Sequence, residues 1–383
     1  MSQHISSSGV DPATGRLDVV LCEPYFTGSH RAWATGLAAH SRHDVALVTH
    51  HGGFWKWRMQ GAAATLAVEI RGVVASRGRP DVLLVSDMVN VPALLGSARD
   101  ALAGVPVVLY LHENQLTYPL PEGVASDDTY AMVNWLSLLS ADRVVFNSEF
   151  HRAELLGALP AFLGKFPDHR HTHLVPEVAA KATVLGVGID LRRFRVTARS
   201  ERPPLILWNH RWEYDKHLGA FFAALERLDD EGIEFRLAVA GEQYQTVPED
   251  FERARERFAT QLVHFGTASA EQYPGLLERA DIVVSTARHE FFGVAIAEAI
   301  AAGACPILPD RLSYPELVPA PRDRYLYRTQ DELVGRLRWA VTDHDGRWRA
   351  AETAHQHIRQ FGWERLAPRY DALLAEAATL TLA

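Results

Sequence analysis

The sequence predicts an α/β protein made of two doubly wound, Rossmann-like parallel domains. Short β-branched runs alternate with helical patterns along the chain. The alternation halts at an Arg- and Pro-rich stretch, "DLRRFRVTARSERPP" (190–204), and then restarts. A length of 383 residues suits two ordinary domains. In such sheets ligands bind beyond the carboxyl ends of strands, near helix N-termini. Two domains facing each other across a cleft would supply site residues from both halves.

The strand candidates of the first half are "LDVVLCEP", "HDVALVTH", "DVLLVS", "VPVVLYLHE", "DRVVFNS" and "KATVLGVG". A boundary near residue 198 leaves 1–198 as the first domain and 199–365 as the second. The second half reads as "LILWNH", a helix over 217–231, "EFRLAVAGE", a helix over 249–259, "LVHFG", a helix over 270–279, "DIVVSTA", a helix over 293–302 and "ACPILP". A last helix runs through "GWERLAPRYDALLAEAATLTL".

Composition narrows the class. With 48% hydrophobic and 22% charged residues the chain can bury a sizeable core. Cys22 and Cys305 lie in apolar strand-like runs and read as reduced core residues of a cytoplasmic protein. The polar N-terminus lacks the apolar stretch of a signal peptide. No run approaches the roughly 18 apolar residues that span a bilayer, so stable membrane insertion is not expected. A net charge of −8 opposes a general nucleic-acid coat but leaves room for a local basic patch. No G-x-G-x-x-G follows a strand with an acidic residue about 20 positions on, which disfavours a dinucleotide-dependent dehydrogenase.

The most informative stretch is "RHEFFGVAIAEAIAAGACPI" (288–307). "DIVVST" reads as a strand and "GVAIAEAIAAG" as a helix, so the turn between them lies at a strand's carboxyl end. Gly293 lets the backbone approach a ligand, and the free N–H groups of the helix start suit a phosphate. Glu298 could accept from a ribose diol, and Glu290 could reach a sugar beyond the diphosphate. Taken alone, two glutamates at this spacing are more often solvated. "LWNHRWEYDKH" (207–217) adds Arg211 and Lys216, a fork and a point charge where a departing diphosphate would develop charge.

Over some 45 residues "LVHFGTASAEQYPGLLERADIVVSTARHEFFGVAIAEAIAAGACPI" resembles the nucleotide-binding half of family 4 glycosyltransferases. The resemblance implies the two-domain GT-B fold, with a C-terminal helix (366–383) completing the first domain, and retaining chemistry. It assigns the hexose to Glu290, the ribose to Glu298, and sugar and phosphates to the backbone of Phe291, Phe292, Gly293 and Val294. The family's Arg-x4-Lys pair maps to Arg211 and Lys216. Its glycine-rich loop maps to Gly28 and Ser29 in "EPYFTGSHRAW", although the usual adjacent glycines are missing. Its strand-end histidine, near the reacting centre, maps to His112.

"YLHENQLTYP", "FNSEFHR", "HRWEYDK" and "HEFFGVA", with "GKFPDHR" and "FWKWR", resemble one branch of that family, the tRNA-queuosine α-mannosyltransferases. This implies transfer of mannose from GDP-mannose to the cyclopentene diol of queuosine at the tRNA wobble position. The expected partners are a sugar nucleotide and the tRNA anticodon loop. Another donor, a lipid or polysaccharide acceptor, or binding without turnover remain alternatives.

Residue-level support for RNA comes from "GGFWKWRMQG" (52–61), which in extended form sets Trp55 and Trp57 on one side and Lys56 and Arg58 on the other. The opposing reading buries both tryptophans in the core. "KFPDHRHTH" adds Lys165, His169 and Arg170, and Asp87, Asn90, Asn114 and Gln115 sit at strand ends. Metal spacing occurs at His169, His171 and His173 and at Asp343–Asp345, and the aspartates lie in a turn between late helices, away from the other motifs. Arg211, Lys216 and the helix end can carry the charge, so no metal site is expected.

Overall fold

A computed structural model describes residues 15–120, 123, 127–196, 203–242 and 249–380, without the side chains of 249–251. The chain forms two compact units. One comprises the residues up to Gly188 together with those from Trp363 onward, and the other is Ile189–Gly362. The division falls before the Arg-rich stretch and not at 198. Residues 197–202, where that boundary was expected, lie outside the described residues.

The first unit holds six strands: β1 (Asp18–Phe26), β2 (Asp44–His51), β3 (Val82–Ser86), β4 (Val107–Leu111), β5 (Arg143–Phe146) and β6 (Ala182–Val184). They pair in the order β2-β1-β3-β4-β5-β6, every pairing parallel. "VLLVS" and "VVLYL" are buried at every position, as a sheet covered on both faces requires. The last helix, Trp363–Ala378, completes this unit. Trp33 Nε1 donates to Tyr370 Oη at 3.2 Å, and Tyr370 Oη donates to the Gly186 carbonyl at 2.9 Å. The Trp363 ring presses so closely on Gly36 and Gly188 that a Cβ on either would lie 2.3 Å away. Those two glycines admit the returning helix.

The second unit holds β7 (Leu205–Asn209), β8 (Arg236–Ala240), β9 (Leu262–Gly266), β10 (Ile282–Val284), β11 (Cys305–Pro309) and β12 (Leu326–Tyr327). Their order is β12-β11-β10-β7-β8-β9, again parallel throughout. Its core joins Trp208, Phe221, Phe222 and Phe258 to the apolar faces of helices Leu218–Asp230 and Gln330–Thr342. Cys22 and Cys305 are free and buried.

One local expectation fails. Residues 52–61 are not extended, because a helix runs over Trp55–Arg77. "WKWR" satisfies a period of 2 and a period of 3.6 equally well, and the alanine-rich continuation "GAAATLAVE" decides for helix. Asp343 caps the helix His344–Ile358, accepting from Gly346 N at 2.8 Å.

Candidate active site

In the second unit, the loops after β7 and β10 are stitched together. Thr286 Oγ1 donates to the Lys216 carbonyl at 2.9 Å, and Arg288 N donates to the Asp215 carbonyl at 2.7 Å. This brings Lys216 to Glu290. The buried Lys216 ammonium donates to the His289 carbonyl at 2.8 Å and lies 2.9 Å from Asp215 and 3.5 Å from Glu290. Burial lowers the lysine's pKa, but Glu290 and Asp215 more than reverse it, so it stays charged. For Glu290, burial acts upward; Lys216, the strongest opposing charge, overrides it and keeps the carboxylate ionised. Burial and Lys216 drive His210 down to about 3 and His289 to about 4, so both imidazoles are neutral at pH 7. Arg211 is half-exposed and 3.4 Å from Glu213.

Gly293 starts the helix Val294–Ala301 with φ +91°. A side chain there would be strained and would crowd Leu317 and Tyr314 at 3.3 Å. Phe291 and Phe292 are buried, set edge-on to His289 and Phe361. Ser313 Oγ holds the Phe292 carbonyl at 3.0 Å. Val294 is partly buried in the first turn of the helix.

Glu298 follows on that helix, with Tyr273 Oη donating to its Oε2 at 2.9 Å and Arg193 3.6 Å from its Oε1. Burial raises its pKa against those two partners. Asn209, the last residue of β7, donates to Tyr273 Oη at 3.4 Å and to the Ala295 carbonyl at 3.0 Å. Thus Glu290 and Glu298, paired in sequence, are held by different groups: the first by a buried lysine, the second by a tyrosine.

The first unit gathers a second cluster. Glu23 is buried near the carboxyl end of β1, and its Oε2 lies 3.0 Å from His30 Nδ1 and 3.9 Å from His112 Nε2. The His30 and His112 rings are 4.1 Å apart, and Trp33 meets His112 edge-on at 4.8 Å. Burial lowers His30, but Glu23 outweighs it and the pKa rises to about 9. His112 falls well below its usual value through burial and His30. Among the described residues this is the one carboxylate–histidine group with metal-ligand spacing. Protein donors already engage both Glu23 oxygens, since Tyr25 N donates to Oε1 at 2.9 Å.

Asp87 is buried and accepts from His112 N at 2.8 Å, with burial raising its pKa to about 8. Asn90 caps the helix Val91–Ser97, accepting from Ala93 N. Asn114 is buried and accepts from the backbones of Leu116 and Thr117, while Gln115 donates to Glu113 at 2.8 Å. Gly28 starts the helix Gly28–His40 at φ +48°, and Ser29 is exposed. Trp55 packs on Tyr130, Trp57 is exposed, and Arg58 is buried with Nη2 3.2 Å from the His51 carbonyl. Lys165 pairs with Asp128 at 3.4 Å. His169 is exposed, and Arg170 Nε donates to the Phe166 carbonyl. Trp135 Nε1 donates to His171 at 3.3 Å, so the three alternate histidines do not converge.

Tyr273, Asn209, Arg193, Glu23 and His30 were missed as site residues. Glu23 and His30 flank the turn "EPYFTGSHR" and were findable there; Tyr273, 25 residues before Glu298, carries no local signal.

Two parallel α/β units, the second with a cationic loop and a glycine-led helix at its strand ends, define a glycosyltransferase of the GT-B fold. Sucrose-phosphate synthase from Thermosynechococcus elongatus has this fold, with a TM-score of 0.72, 15% identity, and coverage of 95% of this chain and 100% of that one. Residues 191–357 match the family of glycosyl transferases group 1, and residues 18–189 match the tRNA-queuosine α-mannosyltransferase N-terminal family. The chain is 34% identical over 330 residues to a tRNA-queuosine α-mannosyltransferase of Drosophila melanogaster, covering 83% of this chain and 85% of that relative. It is 27% identical to a GDP-mannose-dependent α-(1-6)-phosphatidylinositol dimannoside mannosyltransferase of Mycobacterium tuberculosis, covering 84% and 80%. The chain belongs to the tRNA-queuosine α-mannosyltransferase family.

Proposed function

We propose that this enzyme transfers mannose from GDP-mannose to the cyclopentene diol of queuosine in tRNA. The match of the first unit to the family's own N-terminal domain carries this reading, because that half is where acceptor specificity is expected to reside. Mannose is supported by the name of the tRNA-queuosine α-mannosyltransferase relative, and GDP-mannose as the donor by the name of the GDP-mannose-dependent one.

The second unit binds the donor. The Gly293 backbone and the N–H groups of Val294–Ala301 take the diphosphate, with Arg211 beside them. Glu298 accepts from the ribose diol. Lys216 keeps Glu290 ionised and oriented toward hexose hydroxyls. The mapping of the family's strand-end histidine onto His112 supports a role for that residue at the hexose. The bond from the anomeric carbon to the diphosphate breaks, and the acceptor hydroxyl oxygen forms its bond on the same face. Its proton passes to the departing diphosphate oxygen, so no separate base is required. Arg211 and the helix end stabilise the charge that develops there, and the reaction is proposed to run without a metal in the cytoplasm.

The test supplies GDP-mannose, UDP-glucose or UDP-galactose together with tRNA carrying or lacking queuosine. Digested nucleosides are read by mass spectrometry. One hexose gained on queuosine, from GDP-mannose alone, is the expected result. Hydrolysis or tight binding of a donor with no gain on queuosine would move the search to another acceptor.

A further inference from the structure

Phe54 and Trp57 are large aromatics that the first unit leaves in solvent, 79% and 62% exposed. Phe54 is also in the left-handed region, at φ +53° and ψ 47°, which a bulky residue adopts at a cost. It recovers no burial for that strain. Trp57, three residues on, lies along its own helix against Gly61: a Cβ there would stand 2.8 Å from the ring. One ring face is therefore supported and the other is open.

The surroundings are polar and partly cationic. Lys56 lies between the two rings in sequence, with its ammonium 5.6 Å from the Trp55 ring centre and 5.8 Å from that of Tyr130. Tyr130 belongs to the helix Asp128–Ser140, whose first residue pairs with Lys165 at 3.4 Å. The loop bearing Phe54 is seated on the turn after β1, because Gly52 fits against Thr27 with no room for a Cβ. The turn with Gly28 and Ser29, the two exposed rings, and Lys56 and Lys165 thus belong to one neighbourhood. A lipid surface would favour a continuous apolar stripe; here Lys56 and the exposed Gln60 interrupt it. Exposed rings interleaved with cations match unpaired nucleobases, each with a face to stack and a phosphate to pair.

We propose that Phe54 and Trp57 form the stacking platform for unpaired bases of the acceptor RNA loop, with Lys56 and Lys165 meeting its phosphates. The inference rests on the tRNA reading above for the identity of the RNA. Its test is binding, which does not need turnover. A fluorescent RNA anticodon stem-loop is titrated with wild type, Phe54→Ala, Trp57→Ala, the double variant and Trp57→Phe. Each alanine is expected to weaken binding about tenfold, the double variant more, and Trp57→Phe to restore most of the loss. Lys56→Ala and Lys165→Ala each lower the slope of log affinity against log salt by about one. Donor binding, measured on the same variants, stays within twofold and reports that they fold.

Wild-type-like RNA affinity in the double variant overturns the platform, as does a wild type that binds no stem-loop. Loss of binding to anionic vesicles with RNA binding intact overturns it too and reassigns the patch to lipid. RNA binding that depends on both rings, in an enzyme that glycosylates no tRNA, upholds the platform and removes the proposed function instead.

Discussion

His30 in the first unit and His210 in the second are both buried at the carboxyl end of a parallel sheet, yet they move in opposite directions. Burial disfavours the charged imidazole in each. Beside Glu23 that penalty is overturned and His30 rises to about 9, while beside Lys216 it is reinforced and His210 falls to about 3. Burial pushes both downward, and the difference between them comes from the neighbouring charge, a carboxylate beside His30 and an ammonium beside His210. The acids that face His30 are Glu23, Asp87 and Glu113, whereas His210 faces Lys216 and Arg211, opposed by Glu290.

Removing Lys216 is the most severe way to break this contrast. Lys216→Met leaves Asp215 and Glu290 without their cation, and kcat/KM with GDP-mannose is expected to fall about 10²–10³-fold. Steady-state kinetics checks this, and a loss below tenfold would take Lys216 out of the donor machinery. Tyr273→Phe is smaller and sharper. It frees Glu298 Oε2, so the donor KM should rise about tenfold while the tRNA KM holds. Equal rises in both would reduce Tyr273 to a structural role.

Stability against pH tests the contrast itself. His30 has a folded pKa above its unfolded 6.5, so its contribution is complete below pH 6.5 and disappears as pH climbs to about 9. Asp87, raised to about 8, pushes the same way: its stabilisation also drains as pH rises toward 8. His210 has a folded pKa below 6.5, so its contribution is complete above pH 6.5 and is lost as pH falls toward 3. Hydrogen exchange at pH 5, 7 and 9 should therefore show β1 and β4 loosening on the alkaline side, and β7 and β10 on the acid side. The His30 part amounts to about 3 kcal/mol at most, and Glu23→Gln should flatten it. The smallest effect is expected at Thr329, the cap of Gln330–Thr342, which accepts from Glu332 N at 3.2 Å. Thr329→Ala should cost about 1 kcal/mol in denaturant unfolding with kcat unchanged.

The two sheets were legible because buried parallel strands write themselves as apolar runs, and "VLLVS" or "LILWN" admits little else. Gly293 and the two glutamates were legible because strand, turn and helix are consecutive, so spacing alone puts them at one mouth. The stretch at 52–61 was misread because an aromatic–cation alternation four residues long does not separate the two periods, and the burial of Arg58 reverses its expected role as a surface cation.

By itself the sequence determined the elements, the strand-end position of each motif and the family, since these depend on local pattern. Tertiary structure decided the rest. It set Tyr273 rather than solvent against Glu298, drove His30 and His210 to opposite charge states, and left Phe54 and Trp57 open while it buried Arg58. A side chain's charge state and exposure depend on neighbours far along the chain. Glu23 and His30 come from a strand and the helix after it, and Lys216 and Glu290 from the loops after β7 and β10, and only folding brings each pair within a few ångströms.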